Sequence, residues 1–138
     1  GVPAALSFSA GFDNLSKSSV VAAASVLHLD ATTTVAGAGS VVSSTASGTA
    51  STHLTYGVIE VASVAACTPA ATGTMRVPAG TALGAATTGT TPYTLAAGDG
   101  TTTPGADVFL CIRVTSDATL PQGSTATATW QFSATSNS

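Results

Sequence analysis

The residues of this chain best suited to catalysis or metal binding are two histidines and two cysteines. His28 and His53 both stand in strand-like sequence, and neither has a second ligand at the spacing of an HExxH, HxH or mixed His/Cys motif. A nucleophile and base would need the thiol of Cys67 beside His53, and a disulfide would consume that thiol. The pattern therefore predicts no enzyme, no cofactor and no metal, although a two-histidine metal site assembled in space stays open.

Carboxylates are the other candidates for chemistry, and they are dispersed along the chain. A glycosidase needs two of them facing each other across a cleft, whereas most aspartates here stand in turn sequences such as Gly98-Asp99-Gly100. Asp99 and Asp107 flank a loop that could hold calcium, but the EF-hand spacing is absent. A hydrolase is therefore a distant hypothesis. The six acids are Asp13, Asp30, Glu60, Asp99, Asp107 and Asp117.

The two cysteines, Cys67 and Cys111, both lie in apolar, strand-like sequence. An even pair in a chain rich in serine and threonine predicts one disulfide. Two buried free thiols are the alternative. A bridge would place the protein outside the cytosol.

The composition excludes several classes of partner. Charged residues make up 7% of the 138 residues, against about 25% in ordinary soluble domains. The three basic residues, Lys17, Arg76 and Arg113, cannot form the basic patch that nucleic acid requires. No apolar run approaches the roughly 18 residues of a membrane helix. The absence of a starting Met and of a charged leader suggests a mature secreted chain. With a net charge of -3, its weakly charged surface favours self-association.

The pattern of residues predicts an all-β fold. Strong helix formers other than alanine are rare, while β-branched and turn-forming residues dominate. We expect a strand over 20–29, with a short helix over 20–24 as the competing interpretation. The segment 31–52 predicts one weak strand and two loops. Further strands are expected over 53–64, 75–77 and 93–95, the last two beside Pro78 and Pro92, which favours sheet edges.

The last third of the chain gives the clearest strands. Residues 108–115 are apolar on both faces, which indicates a strand in the middle of a sheet. Residues 125–135 alternate between apolar and polar positions, as in a half-buried antiparallel strand. Seven or eight short strands make a single-domain β-sandwich or jelly roll the economical architecture.

The chain opens on a one-sided apolar strand with period two. This stripe is either the first strand of the chain's own fold or a strand donated to a neighbouring copy. A polar segment, 14–19, follows it, and Asn14 fits the glycosylation acceptor pattern. The interpretation divides the chain into an N-terminal arm, 1–19, and a β-sandwich, 20–138. The stripe consists of Val2, Ala4, Leu6, Phe8, Ala10 and Phe12.

Several short runs resemble a known group of proteins. They are Tyr56-Gly57-Val58 before Cys67, Val77-Pro78-Ala79-Gly80, the run 109–115, Gln122-Gly123, and the run 129–135. Over residues 53–135 these runs are similar to secreted actinobacterial proteins with a SipW-dependent type of signal peptide, distant relatives of the TasA and camelysin biofilm-fibre proteins. The resemblance implies an exported jelly-roll subunit that polymerises by donating an N-terminal strand.

The resulting hypothesis is a non-enzymatic subunit of an extracellular pilus or biofilm matrix fibre, polymerised by donor-strand complementation with copies of itself. The N-terminal stripe would enter an acceptor groove formed by two strands of the neighbour. The rival is a monomeric secreted adhesion or carbohydrate-binding module with Trp130, Tyr56 or Tyr93 exposed as a platform. The expected groove residues are Val108, Leu110, Ile112, Val114, Ala128, Trp130 and Phe132.

Overall fold

The protein is all-β, with two antiparallel sheets that do not close into a barrel. The computed structural model describes residues 4–12, 18–84, 90–121 and 124–136, and it describes side chains from Ser18 onward within these ranges, except at positions 42 and 136. The strands are β1 (Ala4–Phe12), β2 (Val20–Leu27), β3 (Gly37–Ser47), β4 (Leu54–Val61), β5 (Thr74–Ala82), β6 (Tyr93–Leu95), β7 (Val108–Ser116) and β8 (Ala126–Ser136).

Each sheet contains four strands, and neighbouring strands are distant in sequence. The order is β1-β8-β3-β6 in sheet A and β2-β7-β4-β5 in sheet B. The first and last strands, β1 and β8, are therefore neighbours in sheet A. Sheet B carries β7 between β2 and β4, as the two-sided apolar pattern of that strand predicted.

Most predicted strands are confirmed. The segment beginning at Val20 is a strand rather than a short helix, with Val26 exposed and Leu27 buried on opposite faces. The strand predicted over 93–95 is the edge strand β6 (Tyr93–Leu95), with the predicted bounds. Pro78 lies in β5, an edge strand of sheet B. A proline has no N–H to donate, and an edge strand tolerates this because it has a neighbour on one side only.

Two predictions underestimated a strand. The strand expected over 75–77 is the nine-residue β5 (Thr74–Ala82). The segment expected to hold one weak strand contains β3, an eleven-residue strand that pairs with β8 on one side and β6 on the other. Its small residues are explained by close packing, because a Cβ at Gly39 would lie 2.6 Å from ring atoms of Tyr93 on β6. Small side chains that carry no hydrophobic period in the sequence thus form an interior strand. The register shifts between Val41 and Ser43, which marks a bulge or irregularity.

The core lies between the two sheets and is built around aromatic side chains. Trp130 on β8 and Tyr56 on β4 meet edge to face, with ring centroids 5.7 Å apart and planes at 70°. Both side chains are buried, together with Tyr93 and Phe132. A second, smaller cluster lies on the outer face of sheet B, where Ile59, Val61, Ala71 and Cys111 pack together.

Candidate functional site

The pairing of β1 with β8 is the first feature with functional meaning. The two strands are antiparallel through nine consecutive register pairs, from Ala4 opposite Ala134 to Phe12 opposite Ala126, without a shift. Within one chain, the strand expected to serve a neighbour therefore lies on the chain's own β8. Val2, the first residue of the predicted stripe, lies outside the described residues, as does Asn14.

The register aligns the N-terminal stripe with the buried positions of β8. Those positions are Ala126, Ala128, Trp130 and Phe132, whereas Thr127 between them is exposed. Opposite them stand, in the order of β8, Phe12, Ala10, Phe8 and Leu6. The alternation read from the first twelve residues is thus in phase with the alternation of the strand that receives them.

The seven predicted groove residues come together in one buried cluster. Ala128, Trp130 and Phe132 lie on β8 of sheet A, and the other four lie on β7 of sheet B. The two sets face each other across the sandwich rather than lying on neighbouring strands. Only β8 pairs directly with β1; the β7 residues form the opposite wall of the core. The β7 residues are Val108, Leu110, Ile112 and Val114.

The paired strands β1 and β8, called the β1–β8 seam below, lie at one edge of sheet A. As the first strand of sheet A, β1 has β8 as its one neighbour in that sheet. Strands of both sheets after β1 contribute side chains to the buried cluster. The disulfide joins β7 of sheet B to the connection between β4 and β5.

The predicted disulfide is confirmed. Cys67 and Cys111 are bonded, with their Cα atoms 5.2 Å apart. Cys111 is the buried partner on β7, and Cys67 lies in the connection between β4 and β5. The bond therefore holds that connection on the outer face of sheet B, over the small cluster around Ile59. It also removes the thiol that a cysteine nucleophile would require.

Both histidines pair with aspartates at the two ends of β7. His28 Nδ1 lies 3.1 Å from Asp107 Oδ1, directly beyond the pairing of β2 with β7. His53 Nδ1 lies 3.2 Å from Asp117, directly beyond the pairing of β4 with β7. These two pairs were not expected from the sequence. They could have been found only by extending the antiparallel registers of β7 with β2 and β4 by one residue.

The arrangement at His53 differs from a catalytic triad. The hydroxyl of Thr119 and the carboxylate of Asp117 both contact the same ring nitrogen, Nδ1, at 3.2 Å. In a triad the base uses one nitrogen for the nucleophile and the other for the orienting carboxylate. Burial acts to raise the pKa of Asp117, but hydrogen bonds from Thr119 and the contact with His53 outweigh it, so the pKa is lowered. The geometry is that of a capped turn.

Asp99 is a turn residue, as its sequence context predicted. Its Oδ1 accepts hydrogen bonds from the backbone N–H groups of Thr101 at 2.7 Å and Thr102 at 2.9 Å. Backbone hydrogen bonds from Thr101, Thr103 and Thr102 hold the pKa of Asp99 well below its usual value. Among the side chains that the structure describes, no group of three or more His, Cys, Asp or Glu residues could hold a metal ion.

Asp99 is expected to make stability depend on acid. Because its folded pKa lies below the unfolded value of 3.8, its contribution is present above about pH 4 and is lost as the pH falls towards the folded value. Asp99→Asn should therefore show a shallower fall in Tm between about pH 4 and pH 2 than the parent. Asp30→Asn, at an exposed aspartate of a neighbouring loop, is the control. Equal slopes for the parent and Asp99→Asn would contradict the expectation.

The aromatic residues of the rival hypothesis are in the core, so that part of it is wrong. Trp130 is 0% exposed, and Tyr56 and Tyr93 are each 1% exposed. Burial raises the pKa of Tyr93 to about 12. A sugar-stacking platform needs an open ring face, which these three side chains do not offer. They are large side chains that fill the core between the two sheets. The alternation along β8 agrees with this inward position for Trp130.

By fold the chain is an all-β sandwich protein with one disulfide. Comparison of its sequence and structure with protein-family models, curated proteins and solved structures finds no match. Within the described ranges, no helix has the length and apolar character needed to cross a membrane. The geometry of the chain itself is therefore the basis for assigning a function.

Proposed function

We propose that this protein is the repeating subunit of an extracellular fibre, polymerised by exchange of β1 between copies. In the isolated chain β1 lies on its own β8; in the fibre, the β1 strand of one copy occupies the same position on the next copy. The observation that carries the proposal is the β1–β8 seam, in which a strand near the N-terminus lies at a sheet edge and pairs in unbroken register with a buried strand.

Exchange preserves every contact of this seam. The β8 strand of a second copy presents the same backbone groups and the same buried positions, so the pairing energy is equal in both states. What differs is the entropy of association, which concentration offsets. Strand exchange is therefore a low-cost route to association for this chain.

The exchanged state propagates. Each copy donates one β1 and accepts one β1, so the contact joins two different surfaces, head to tail. A contact of this kind that does not close into a ring forms a filament. The strand-addition mode also explains specificity, because the alternate apolar positions of the donor must match the core positions of the acceptor.

The low charge of the chain is compatible with self-association. Charged residues are 7% of the chain, the net charge is -3, and the mean hydropathy is +0.44. Charge repulsion between copies is consequently weak. The disulfide is compatible with an oxidising, extracellular location.

The strand order supports a finer description of the fold. A jelly roll arranges eight strands in two four-stranded sheets, and the orders β1-β8-β3-β6 and β2-β7-β4-β5 agree with that arrangement. The proposed fold is a jelly roll in which β1 is the exchangeable strand. This is the architecture that the resemblance to the TasA and camelysin group implies.

The test locks β1 onto its own chain. Ser7 and Gln131 are directly opposite in the register, and the Cα separation of such pairs, about 4.5–5.5 Å, is within disulfide range. Ser7→Cys/Gln131→Cys, oxidised as a dilute monomer, should form no fibres in negative-stain microscopy at concentrations where the parent does. Oxidised after assembly, the same variant should give a ladder of covalent oligomers in non-reducing electrophoresis.

The single variants Ser7→Cys and Gln131→Cys provide the control, since neither can lock the seam, and both should assemble like the parent. Normal fibres from the locked monomer would reject exchange of β1. A parent chain that stays monomeric at high concentration would favour the monomeric adhesion module. The pairing of β1 within one chain is the observation that favours this second candidate.

A further inference from the structure

A pocket on the outer face of sheet B contains Arg113, which has no acidic partner among the residues that the structure describes. The pocket has a volume of about 210 Å³ and crosses the sheet from β2 to β5. Arg113 on β7 lies opposite Gly57 on β4, and both residues line the pocket. The full lining is Val20, Tyr56, Gly57, Ala79, Gly80, Arg113 and Thr115.

Two glycines line the pocket, and they differ in what surrounds them. A Cβ at Gly57 would lie 2.8 Å from the Cα of Ala79, so the glycine allows β5 to approach. Gly80 has a φ of +90° and nothing within 4 Å of the position of its missing Cβ. Gly80 therefore adds no side chain to its part of the pocket wall.

The hydrogen-bonding state of Arg113 is unusual. Its Nε is buried and has no hydrogen-bond partner among the described residues. The other described arginine, Arg76, donates to Glu60 at 2.8 Å and to the carbonyl of Pro92 at 2.8 Å. No carboxylate in the described ranges lies within ion-pair distance of Arg113. A half-buried guanidinium without a counter-charge is costly, and such groups normally have a partner.

The geometry points to a binding site for a small carboxylate in this pocket. Arg113 lines the pocket, and its Nε has no hydrogen-bond partner among the described residues, so an anion entering the pocket would meet a guanidinium with unused hydrogen-bonding capacity. A carboxylate offers two oxygens that match the guanidinium fork. The hydroxyl of Thr115, exposed on the same strand, adds one donor at the rim.

A monoanion fits this site better than a phosphate. One guanidinium balances one negative charge, and a phosphate dianion would remain partly uncompensated in a protein whose net charge is -3. The volume is below the roughly 300–1,000 Å³ of pockets for drug-sized ligands. It suits a simple organic acid, a sugar acid, or the carboxylate side chain of a second copy.

The test is a titration of the isotopically labelled full chain, followed by NMR at constant ionic strength. Sodium acetate and sodium glucuronate should each give saturable shifts of the Arg113 Nε–H and of the Gly57 and Gly80 amides. Sodium chloride should not, and inorganic phosphate should bind more weakly than acetate. Arg113→Gln should weaken acetate binding at least about tenfold, since charge-assisted hydrogen bonds are lost.

Arg113→Lys is the matched variant, because it keeps the charge but loses the fork. Its affinity for acetate should lie between those of the parent and Arg113→Gln. The amide spectrum of each variant shows whether it is folded. Shifts that are linear in salt, equal for chloride and acetate, or unchanged in Arg113→Gln would overturn the proposal.

A second arm of the experiment identifies the source of the carboxylate. Sedimentation of the chain is measured with and without acetate. If the site takes a carboxylate of another copy, acetate and Arg113→Gln should both reduce self-association. If it takes a free acid, acetate should bind without changing the sedimentation. This readout is independent of the Ser7→Cys/Gln131→Cys lock, so the failure of one proposal does not imply the failure of the other.

Discussion

Trp130→Ala is expected to lower the free energy of unfolding by about 3–5 kcal/mol. The side chain is 0% exposed and meets Tyr56 edge to face in the centre of the sandwich. Its removal leaves a cavity and ends this aromatic contact. Since domains of this size are stable by roughly 5–15 kcal/mol, the loss is a large part of the total. Urea unfolding followed by circular dichroism measures it through the midpoint at constant m-value.

Two further substitutions on β8 calibrate this result. Thr127→Ala changes an exposed position of the same strand and should stay within about 0.5 kcal/mol of the parent. Trp130→Phe keeps an aromatic ring in the core and should lose less than Trp130→Ala. A loss below about 1 kcal/mol for Trp130→Ala would show that the core does not depend on this ring.

The disulfide is expected to contribute about 4 kcal/mol, because it closes a loop between residues 44 apart in the chain. Cys67→Ala is the suitable variant, since it leaves the buried Cys111 side chain in place. It should lose that amount in urea unfolding. We also expect the connection between β4 and β5 to loosen over the cluster of Ile59, Val61 and Ala71, which hydrogen exchange measures.

Reduction of the parent distinguishes the contribution of the disulfide from the effect of changing the Cys67 side chain. The parent should lose a similar stability when reduced, whereas Cys67→Ala should not respond, because it has no bridge to break. A parent whose unfolding midpoint is unchanged by complete reduction would contradict the stabilising role. Hydrogen exchange that changes only at β1 would contradict the expected location of the effect.

The two predictions concern different parts of the molecule, and both bear on the fibre proposal. Trp130 lies on β8 and stands opposite Phe8 of β1 in the register, so the β8 core is part of the seam that exchange would use. The disulfide joins residues of sheet B and its connections. In the proposed exchange, it would stabilise strands β2–β8 while β1 is detached. A subunit that exchanges β1 requires that these strands stay folded without it.

Local patterns in the sequence were sufficient for much of the fold. The two-sided apolar run 108–115 identified β7, the alternation over 125–135 identified β8, and Tyr93–Leu95 was identified between its turn signals. Cys67 and Cys111 were recognised as a bridge because they are an even pair in a chain of this composition. These features depend on period two and on residue type, which any short window of sequence displays.

Patterns within short stretches of the chain were enough to identify the all-β class, the strong strands, the disulfide and the one-sided apolar character of the first strand. The folded structure was needed to show that β3 is an interior strand, that His28 and His53 meet aspartates, that Arg113 lines a pocket, and that β1 lies on β8. These features could not be identified locally because strand pairing joins residues far apart in the chain. Backbone hydrogen bonds form with whichever strand lies alongside, and a residue's own neighbours in sequence do not specify that strand.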